Sequence, residues 1–380
     1  MEIELDLPPF RNIPKPDKGI TQMDKKILST AIAGVLAGSM AFAANADVTL
    51  YGQIDVSMDS VDIDGADDDI TMNSNASRLG VKGSEDLGNG LSAIFQLEYE
   101  VNVTGGNNTN GGGNGTNFGT GTQSEGATNI TGGRDQWVGL KGGFGKVRFG
   151  TMSTQYKSTG SSVDPLWDTA FDTRNTSMQS SLHGGSGANG QGRATKTVGY
   201  DTADFNGLSA GATYSFDNCG AAASCANDDD SYSLGAKYKN GPALVFVDYV
   251  TSDQGGDDDA WKIGGSYSFG DAALYAQYEV DGGLIANGVP GSGAGLSNDG
   301  ADLWMLGGSY TMGNAMLVAQ FAQGDDDSAA GNTEYDSWTL AGVYNFSKRT
   351  KTYVGFNQYS EDATGGAELD HFAVGMAHKF

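Results

Sequence analysis

A nine-residue pattern in the C-terminal half of the chain limits the possible folds more than any other feature. Residues 261–269 read WKIGGSYSF, and the pattern returns from Trp304 as WMLGGSYTM and from Trp338 as WTLAGVYNF. Its apolar positions alternate with a period of two, which is typical of a half-buried β-strand. Tilted by ~40°, such a strand spans roughly 20 Å, close to the apolar band of a membrane barrel with aromatic rims. A soluble sandwich would also alternate, but it gives no reason for aromatic ends at one fixed length.

The composition agrees with a membrane barrel and excludes a helical membrane protein. Only 38% of the 380 residues are hydrophobic, and no apolar run of about 18 residues follows the N-terminal region. A barrel needs no such run, because only every second strand residue faces lipid. This length could hold two soluble domains, but a barrel carries it as one.

The chain is strongly acidic, with 47 Asp and Glu against 22 Lys and Arg and a formal charge of −25. This sign of charge disfavours nucleic-acid binding. Runs of aspartate at 67–69, 228–230, 257–259 and 325–327 all fall between predicted strands. We interpret them as solvated surface loops. A divalent-cation site is the alternative, but the runs lack the glycine-spaced ligands of an EF-hand loop.

The N-terminal region predicts export. Lys25 and Lys26 precede an apolar run over 27–40, and Ala44-Asn45-Ala46 fits the small-residue cleavage rule. We therefore predict a secretory signal peptide over 23–46, with 41–43 as the alternative cleavage site, and a single barrel domain over 47–380. Residues 1–22 match no signal-peptide design and are interpreted as an overextended start.

The two cysteines, Cys219 and Cys225, lie in one predicted loop. Outside the cytosol a local disulfide between them is favoured, and two free thiols are the alternative. A zinc site would need further ligands, and none is evident nearby. We expect no metal and no cofactor.

Alternation and turn residues mark sixteen candidate strands between Val48 and Phe380, joined by connections that alternate between short and long. Short turns at one end and long loops at the other are typical of outer-membrane barrels, and an even number of strands closes the sheet. Alternation predicts that several charged side chains face the lumen, namely Asp55, Lys82, Glu98, Glu100, Arg78, Arg134 and Arg148. An arginine facing lipid at the midplane would cost about 2–4 kcal/mol.

Three stretches and the terminal residue resemble the general diffusion porins of Gram-negative bacteria over 47–380. They are DVTLYGQIDVS at 47–57, SRLGVKGSEDLGNGLSAIFQLE at 77–98, GRDQWVGLKGGFGKVRFG at 133–150, and Phe380 on an alternating strand. The resemblance implies an all-β, transmembrane, 16-stranded antiparallel β-barrel in the outer membrane, surrounded by lipid and lipopolysaccharide. It also implies a homotrimer, a third external loop folded inward, and a terminal aromatic read by the barrel-assembly machinery.

In this family, acids on the inward loop oppose a basic arc on the barrel wall. For this chain, the resemblance implies that the inward loop spans 151–192. It also implies that the constriction has Asp164, Asp168 and Asp172 on the loop and Arg78, Arg134, Arg148 and Arg193 on the wall. Ordinary loop solvation is the alternative for the three acids. Their spacing of four, with Asp164-Pro165 at the start, also suits a short helix.

One departure bears on ion preference. Many relatives follow the fifth strand with Gly-Arg, whereas this chain has Gly150-Thr151. The basic arc is then thinner, and with Asp55, Glu98 and Glu100 facing the lumen we predict a weak cation preference.

The expected function is passive diffusion of ions and small hydrophilic solutes through a water-filled channel. Two alternatives stay open: a sugar- or anion-selective channel, for which Trp167 and Phe171 leave sugars possible, and a plugged surface barrel acting as an adhesin. A calcium-binding β-solenoid is disfavoured because its nonapeptide repeat is missing. Catalysis is not expected, since His183, His371 and His378 fall in no Ser-His-acid pattern.

Overall fold

One antiparallel sheet contains every strand that the computed structural model describes. The model describes residues 46–63, 69–104, 130–184, 192–216, 230–252, 258–281, 301–326, 333–362, 366 and 368–380. The strands are β1 Ala46–Ile63, β2 Asp69–Ser74, β3 Arg78–Gly88, β4 Leu91–Val101, β5 Ile130–Gly142, β6 Gly145–Ser153, β7 Arg193–Asp201, β8 Leu208–Ser215, β9 Ser231–Asn240, β10 Ala243–Ser252, β11 Asp258–Phe269, β12 Ala272–Asp281, β13 Ala301–Met312, β14 Ala315–Asp326, β15 Thr333–Asn345, β16 Thr350–Asp362 and β17 Glu368–Lys379.

The sheet closes on itself, because β1 pairs with β17 as well as with β2 and β3. The segments β2 and β3 are two halves of one broken strand, since Val56 of β1 faces Ser74 and Gln53 faces Arg78. The seventeen segments are therefore sixteen barrel strands. The prediction of a closed sixteen-stranded antiparallel barrel is confirmed.

The break between β2 and β3 is held by side chains. Ala76 has a φ of 45°, in the left-handed region that a β-strand excludes. The Asn75 amide donates to Ser57 Oγ at 2.7 Å and to the Tyr353 hydroxyl at 3.0 Å. Polar groups from neighbouring strands thus stabilise the bend.

The two faces of the sheet differ as the alternating pattern predicts. In β11 the outward side chains Ile263, Tyr267 and Phe269 are 48–53% exposed, whereas Lys262 on the other face is completely buried. In β1, Ile54 is exposed and Asp55 is buried. An apolar outside around a polar inside is the reverse of a soluble protein and fits a barrel in lipid.

The C-terminal residue completes the closure. Gly52 and Phe380 exchange two backbone hydrogen bonds of 3.1 Å, and the Phe380 ring covers Gly52. A Cβ at position 52 would lie 2.4 Å from Phe380 Cζ, so only glycine fits there. The closure of the sheet between β1 and the C-terminal strand therefore depends on both Gly52 and Phe380.

A bulge decides the direction of one predicted lumen residue. Val138 faces outward and is 58% exposed, so strict alternation would also aim Arg134 at lipid. The pairing of β4 with β5 shifts register between Leu97 and Tyr99, which adds one residue to β5. Arg134 consequently turns inward and is buried. The inward direction of Arg134 therefore comes from the bulge and not from strict alternation.

The remaining described structure is short. One α-helix, α1 (Gln155–Gly160), and two 3-10 turns, Ser161–Val163 and Ser181–His183, follow β6. No helix in the described ranges has the length and apolar character needed to cross a membrane. Residues 1–45, which include the predicted signal peptide except Ala46, lie outside the described residues, as do Cys219 and Cys225.

Candidate functional site

Residues 154–184, here called the inner segment, pack against the polar face of the barrel wall. Leu166, Phe171 and Met178 are completely buried and belong to one apolar cluster with inward side chains of the wall. Phe171 meets Tyr353 of β16 edge to face, with ring centroids 6.4 Å apart. The Ser337 hydroxyl of β15 donates to the Thr176 carbonyl at 2.5 Å. The inner segment is therefore fixed by both apolar and polar contacts.

A buried polar cluster anchors the two ends of the inner segment to β10, β11 and β12. Lys262 Nζ donates to the Tyr156 carbonyl at 2.5 Å and lies 2.6 Å from His183 Nε2. Asp248 Oδ2 is 3.8 Å from the same ammonium. Burial, together with the Lys262 charge, lowers the pKa of His183 well below its usual range, so the imidazole is neutral and accepts the bond.

Glu279 of β12 holds the same two ends from the other side. The hydroxyls of Tyr156 and Ser180 donate to its carboxylate at 2.9 and 2.5 Å, and the Ser180 backbone N–H adds a third bond. All these groups are buried, so each needs its partner.

The predicted acid Asp168 meets a predicted wall arginine. Arg78 Nη1 lies 2.8 Å from Asp168 Oδ2, and Arg174 Nη2 lies 3.5 Å from the other oxygen. Burial alone would raise the pKa of Asp168, but the two guanidinium groups outweigh it and bring that pKa to about 2. Asp168 is therefore ionised at neutral pH.

The other two predicted acids have different partners. Asp172 accepts hydrogen bonds from the Arg174 side chain and, at 3.0 Å, from the Arg174 backbone N–H. Asp164 accepts from the backbone N–H groups of Leu166 and Thr173 and from the Thr173 hydroxyl at 2.8–3.0 Å. Burial and the nearby Asp172 raise the pKa of Asp164 to about 7. Asp164 thus holds the shape of the inner segment.

The helix suggested for the stretch after Asp164 is wrong. Asp164 has an extended backbone with φ −128° and ψ 99°, and Asp168 has φ 64°, which a right-handed helix excludes. The Asp164 side chain bonds N–H groups on both sides of the loop that follows it, which closes that loop as turns. The helix of the inner segment lies earlier, at α1, where Thr154 accepts from Lys157 N.

The other predicted arginines pair with acids of the wall. Arg134 Nε lies 2.5 Å from Glu98, and its Nη1 lies 3.8 Å from Glu100. Arg193 pairs with Asp135 at 2.6 Å, and Arg148 pairs with Asp201 at 2.7 Å. Within the described ranges, Arg78 is therefore the predicted wall arginine that forms an ion pair with the inner segment.

The predicted lumen residues all lie on the inward face. Asp55, Glu98 and Glu100 are buried there. The exposed Lys82 places its ammonium 4.9 Å from the centre of the Tyr51 ring.

Sequence reasoning missed Arg174, which binds two of the three predicted acids. Its guanidinium stacks on the Trp167 ring at 3.8 Å and covers one face of that ring. Its position two residues after Asp172 was the available signal. Lys157 was also missed; it donates to the Gly184 carbonyl, and burial, with Arg193 and Arg174 nearby, lowers its pKa well below the usual range.

We call the opposed charges of the wall and of the inner segment the ring. Arg78, Arg134 and Arg193 come from the wall, and Asp168, Asp172 and Arg174 come from the inner segment. Fixed charges of both signs at a narrow point orient water and dipolar solutes and set the barrier for ions. The arrangement suits solute selection by size and charge.

Comparison with known proteins gives a family and a common fold. A family model described as Gram-negative porin matches residues 29–364. The major outer membrane protein P.IB of Neisseria lactamica is 29% identical over 376 residues, covering 94% of this chain and 100% of that protein.

Two solved structures share the fold at lower identity. An anion-selective porin from Comamonas acidovorans superposes with a TM-score of 0.66 at 24% identity, covering 88% of this chain and 100% of its own. The trimer form of OmpT from Vibrio cholerae gives a TM-score of 0.58 at 15% identity, covering 88% of this chain and 99% of its own.

Proposed function

The chain belongs to the Gram-negative porin family, and we propose that it forms a water-filled channel for passive diffusion of ions and small hydrophilic solutes. The protein is an outer-membrane protein, as its family and its P.IB relative indicate. A barrel of sixteen strands is wide enough to leave an aqueous lumen. The observation that carries the proposal is the ion pair between Arg78 and Asp168, which joins the wall to the inner segment.

The proposed constriction residues follow from the sequence and the contacts together. Asp168 and Asp172, with Arg78, Arg134, Arg174 and Arg193, would face the solute where the lumen is narrowest. Arg148 pairs with Asp201 on the wall and would act on the side of the constriction nearer the short turns. Asp164 would contribute through the shape of the inner segment and through its charge above neutral pH.

The channel would prefer cations weakly. The acids Glu98, Glu100, Asp135, Asp168 and Asp172 lie near the ring, whereas the bases with full charge there are four arginines. Burial lowers the pKa of a fifth base, Lys157, well below its usual range. The small excess of acids supports a potassium-to-chloride permeability ratio modestly above one.

Reversal potentials of single channels in a KCl gradient test this preference. Removing one acid, as in E100Q, should lower the permeability ratio, and S309A on the inward face of β13 is the matched control that should leave it unchanged. A wild-type reversal potential of the chloride sign would overturn the proposed preference. A channel that never conducts would overturn the porin function and favour a plugged surface barrel.

The proposed assembly is a homotrimer in lipid and lipopolysaccharide, inserted through recognition of the strand that ends in Phe380. The Vibrio cholerae protein of the same fold is described in a trimer form. Mass measurement in detergent and conductance steps in threes would support the trimer. Replacing Phe380 with serine should reduce insertion into the outer membrane if the terminal aromatic is the signal.

A further inference from the structure

The lysines of this barrel gather at the end that carries the short turns. Lys141 and Lys146 flank the turn between β5 and β6, and Lys237 and Lys239 precede the turn after β9. Lys351 is the second residue of β16, after another short turn, and Lys379 is the last residue of β17. We call this set the lysine band; its members are Lys141, Lys146, Lys237, Lys239, Lys351 and Lys379.

The strand register aims the lysine band into the lumen. Lys351 is two residues before Tyr353, whose hydroxyl donates to the buried Asp55 at 2.7 Å. Lys379 is two residues after the buried Ala377, which is the cross-strand partner of Asp55. Residues two apart in a strand share a face, so both lysines point inward.

The other members follow from the same argument. Lys237 and Lys239 share the face of Gly235, where a Cβ would meet Asp248 and Gln155 inside the barrel. Lys141 is the cross-strand partner of Lys146, and Lys146 lies 3.5 Å from the inward Asp201. Lys141 thus faces a lysine whose carboxylate partner, Asp201, is already shared with Arg148, and like charges directly opposite each other repel.

Few acids offset these charges on the same side of the ring. On the strands, the inward acids near the short turns are Asp47, Asp86 and Asp201, whereas Glu85 lies on the outward face. Asp204 and Asp271 lie in the turns themselves. Asp201 is already paired with Lys146 and Arg148, and Asp86 accepts from Gly88 N at 2.8 Å. Within the described ranges, Lys141, Lys237, Lys239 and Lys379 are exposed and have no carboxylate within 4 Å.

The opposite end of the barrel has no comparable band of inward lysines among the described residues. The described strand ends next to the long connections also carry acids, among them Asp62, Asp230, Asp259, Asp302, Glu334 and Glu368. These acids alternate with buried inward residues such as Val61, Leu303 and Leu369 and therefore lie on the outward face. The lysine band is therefore specific to the short-turn end of the described barrel, and these acids of the other end do not line the lumen.

We infer that the short-turn half of the lumen is a vestibule that attracts multivalent organic anions, such as di- and tricarboxylates, through the lysine band. This inference rests on the proposed channel function and adds a direction to it. Anions enter faster from the short-turn side than from the side of the long connections.

The strength of the effect follows from the screening length. At 0.1 M salt the Debye length is about 10 Å, so neighbouring lysines of the band act together, whereas at 1 M it is about 3 Å and each acts alone. Exposed ammonium groups on flexible stems bind anions weakly and act on the rate of entry. The rate of entry should increase most for a trivalent anion, because its attraction to the lysine band scales with its charge.

Single-channel block by citrate tests the inference. In 0.1 M KCl we expect the citrate on-rate to be roughly tenfold higher from the short-turn side than from the other side, and the ratio to approach one at 1 M KCl. The short-turn side is identified with K348C, which a charged, membrane-impermeant thiol reagent reaches from that side.

A quadruple variant, K141Q, K237Q, K239Q and K379Q, should abolish the difference between the sides. The matched control replaces the same four lysines with arginine and should keep it, because the charge stays in place. If the glutamine variant does not insert, two other measurements test the inference. They are the salt dependence of the citrate on-rates in the wild type and the on-rates of each single K→Q variant.

The outcomes separate the two proposals. Wild-type channels that conduct but show equal citrate on-rates from both sides at 0.1 M would overturn the vestibule and leave the porin function intact. A quadruple glutamine variant that keeps the full difference would also overturn it. Absence of conductance in the wild type would overturn the porin function itself.

Discussion

The arginines of the ring and the lysines of the band carry the same charge in opposite surroundings. Arg78, Arg134 and Arg193 lie within 2.5–2.8 Å of a carboxylate and are largely buried. Lys237, Lys239 and Lys379 are exposed on the wall of the lumen. A planar guanidinium suits a fixed carboxylate, whereas an ammonium on a flexible stem remains hydrated. Ion pairing fixes the first set in position, and the absence of nearby carboxylates leaves the second set able to attract anions.

Lys262 shows that location and not residue type makes this difference. It is completely buried, and its ammonium contacts Tyr156, His183 and Asp248. It therefore behaves as the arginines do, although it is a lysine on the same inward face as the band.

The largest effect is expected from K262M. The substitution leaves Asp248 as a buried, unpaired carboxylate and removes two bonds that hold the inner segment, so it should destabilise the barrel by about 3–5 kcal/mol. Urea denaturation of protein refolded into lipid vesicles, followed by tryptophan fluorescence, measures the change.

K239M is the matched control, since the same replacement at an exposed site should change stability by less than about 0.5 kcal/mol. Equal effects of K262M and K239M would show that the buried contacts of Lys262 contribute nothing, and the contrast between the two environments would fail.

An intermediate effect is expected from the Arg78–Asp168 pair. R78Q and D168N each leave one charge without its partner, and the double variant should be more stable than the sum of the two predicts. A coupling free energy of about 0.5–3 kcal/mol is expected in a double-mutant cycle measured by the same denaturation.

The control cycle combines R148Q with D168N. Arg148 pairs with Asp201 and not with the inner segment, so these two changes should add within about 0.5 kcal/mol. A coupling as large as that of Arg78 would mean that a diffuse field, and not the contact, links the wall to the inner segment.

The smallest effect is expected from a change of pH, because between pH 6 and 8 such a change alters only one charge of the Asp164 and Asp168 pair near the ring. The pKa of Asp164 is raised to about 7 and that of Asp168 is lowered to about 2, so between pH 6 and 8 only Asp164 of this pair changes its charge. The permeability ratio for potassium over chloride should rise with pH over this range and should be flat in D164N.

The same two groups act on stability with opposite signs. The stabilisation linked to protonated Asp164 is present below its ordinary pKa and is lost as pH rises through about 7. The stabilisation from ionised Asp168 is present above its ordinary pKa and is lost as pH falls through about 2. The control is H371Q, which removes a buried histidine bonded to Asp59 and should retain the pH step. A step that survives in D164N would assign the titration to another group.

The inward side chains of the wall were largely predictable, and their partners were not. The positions of Asp55, Glu98 and Arg78 follow from their parity within a strand. The pairing of Arg78 with Asp168 joins segments far apart in the chain, and the shape of the loop between Asp164 and Thr173 depends on bonds that no spacing rule contains. For Arg174, the only indication in the sequence of a role beside the predicted acids was its position two residues after Asp172.

The sequence by itself determined the alternation, the turns and the number of strands, because these depend on residues that are neighbours in the chain. An apolar side chain at every second position specifies which face meets lipid wherever the strand lies. The tertiary structure decided the broken strand at Asn75, the bulge that turns Arg134 inward, and the partners of each buried charge. These features depend on which distant groups meet once the sheet has closed, and a buried charge is stable only beside the partner that the closed barrel supplies.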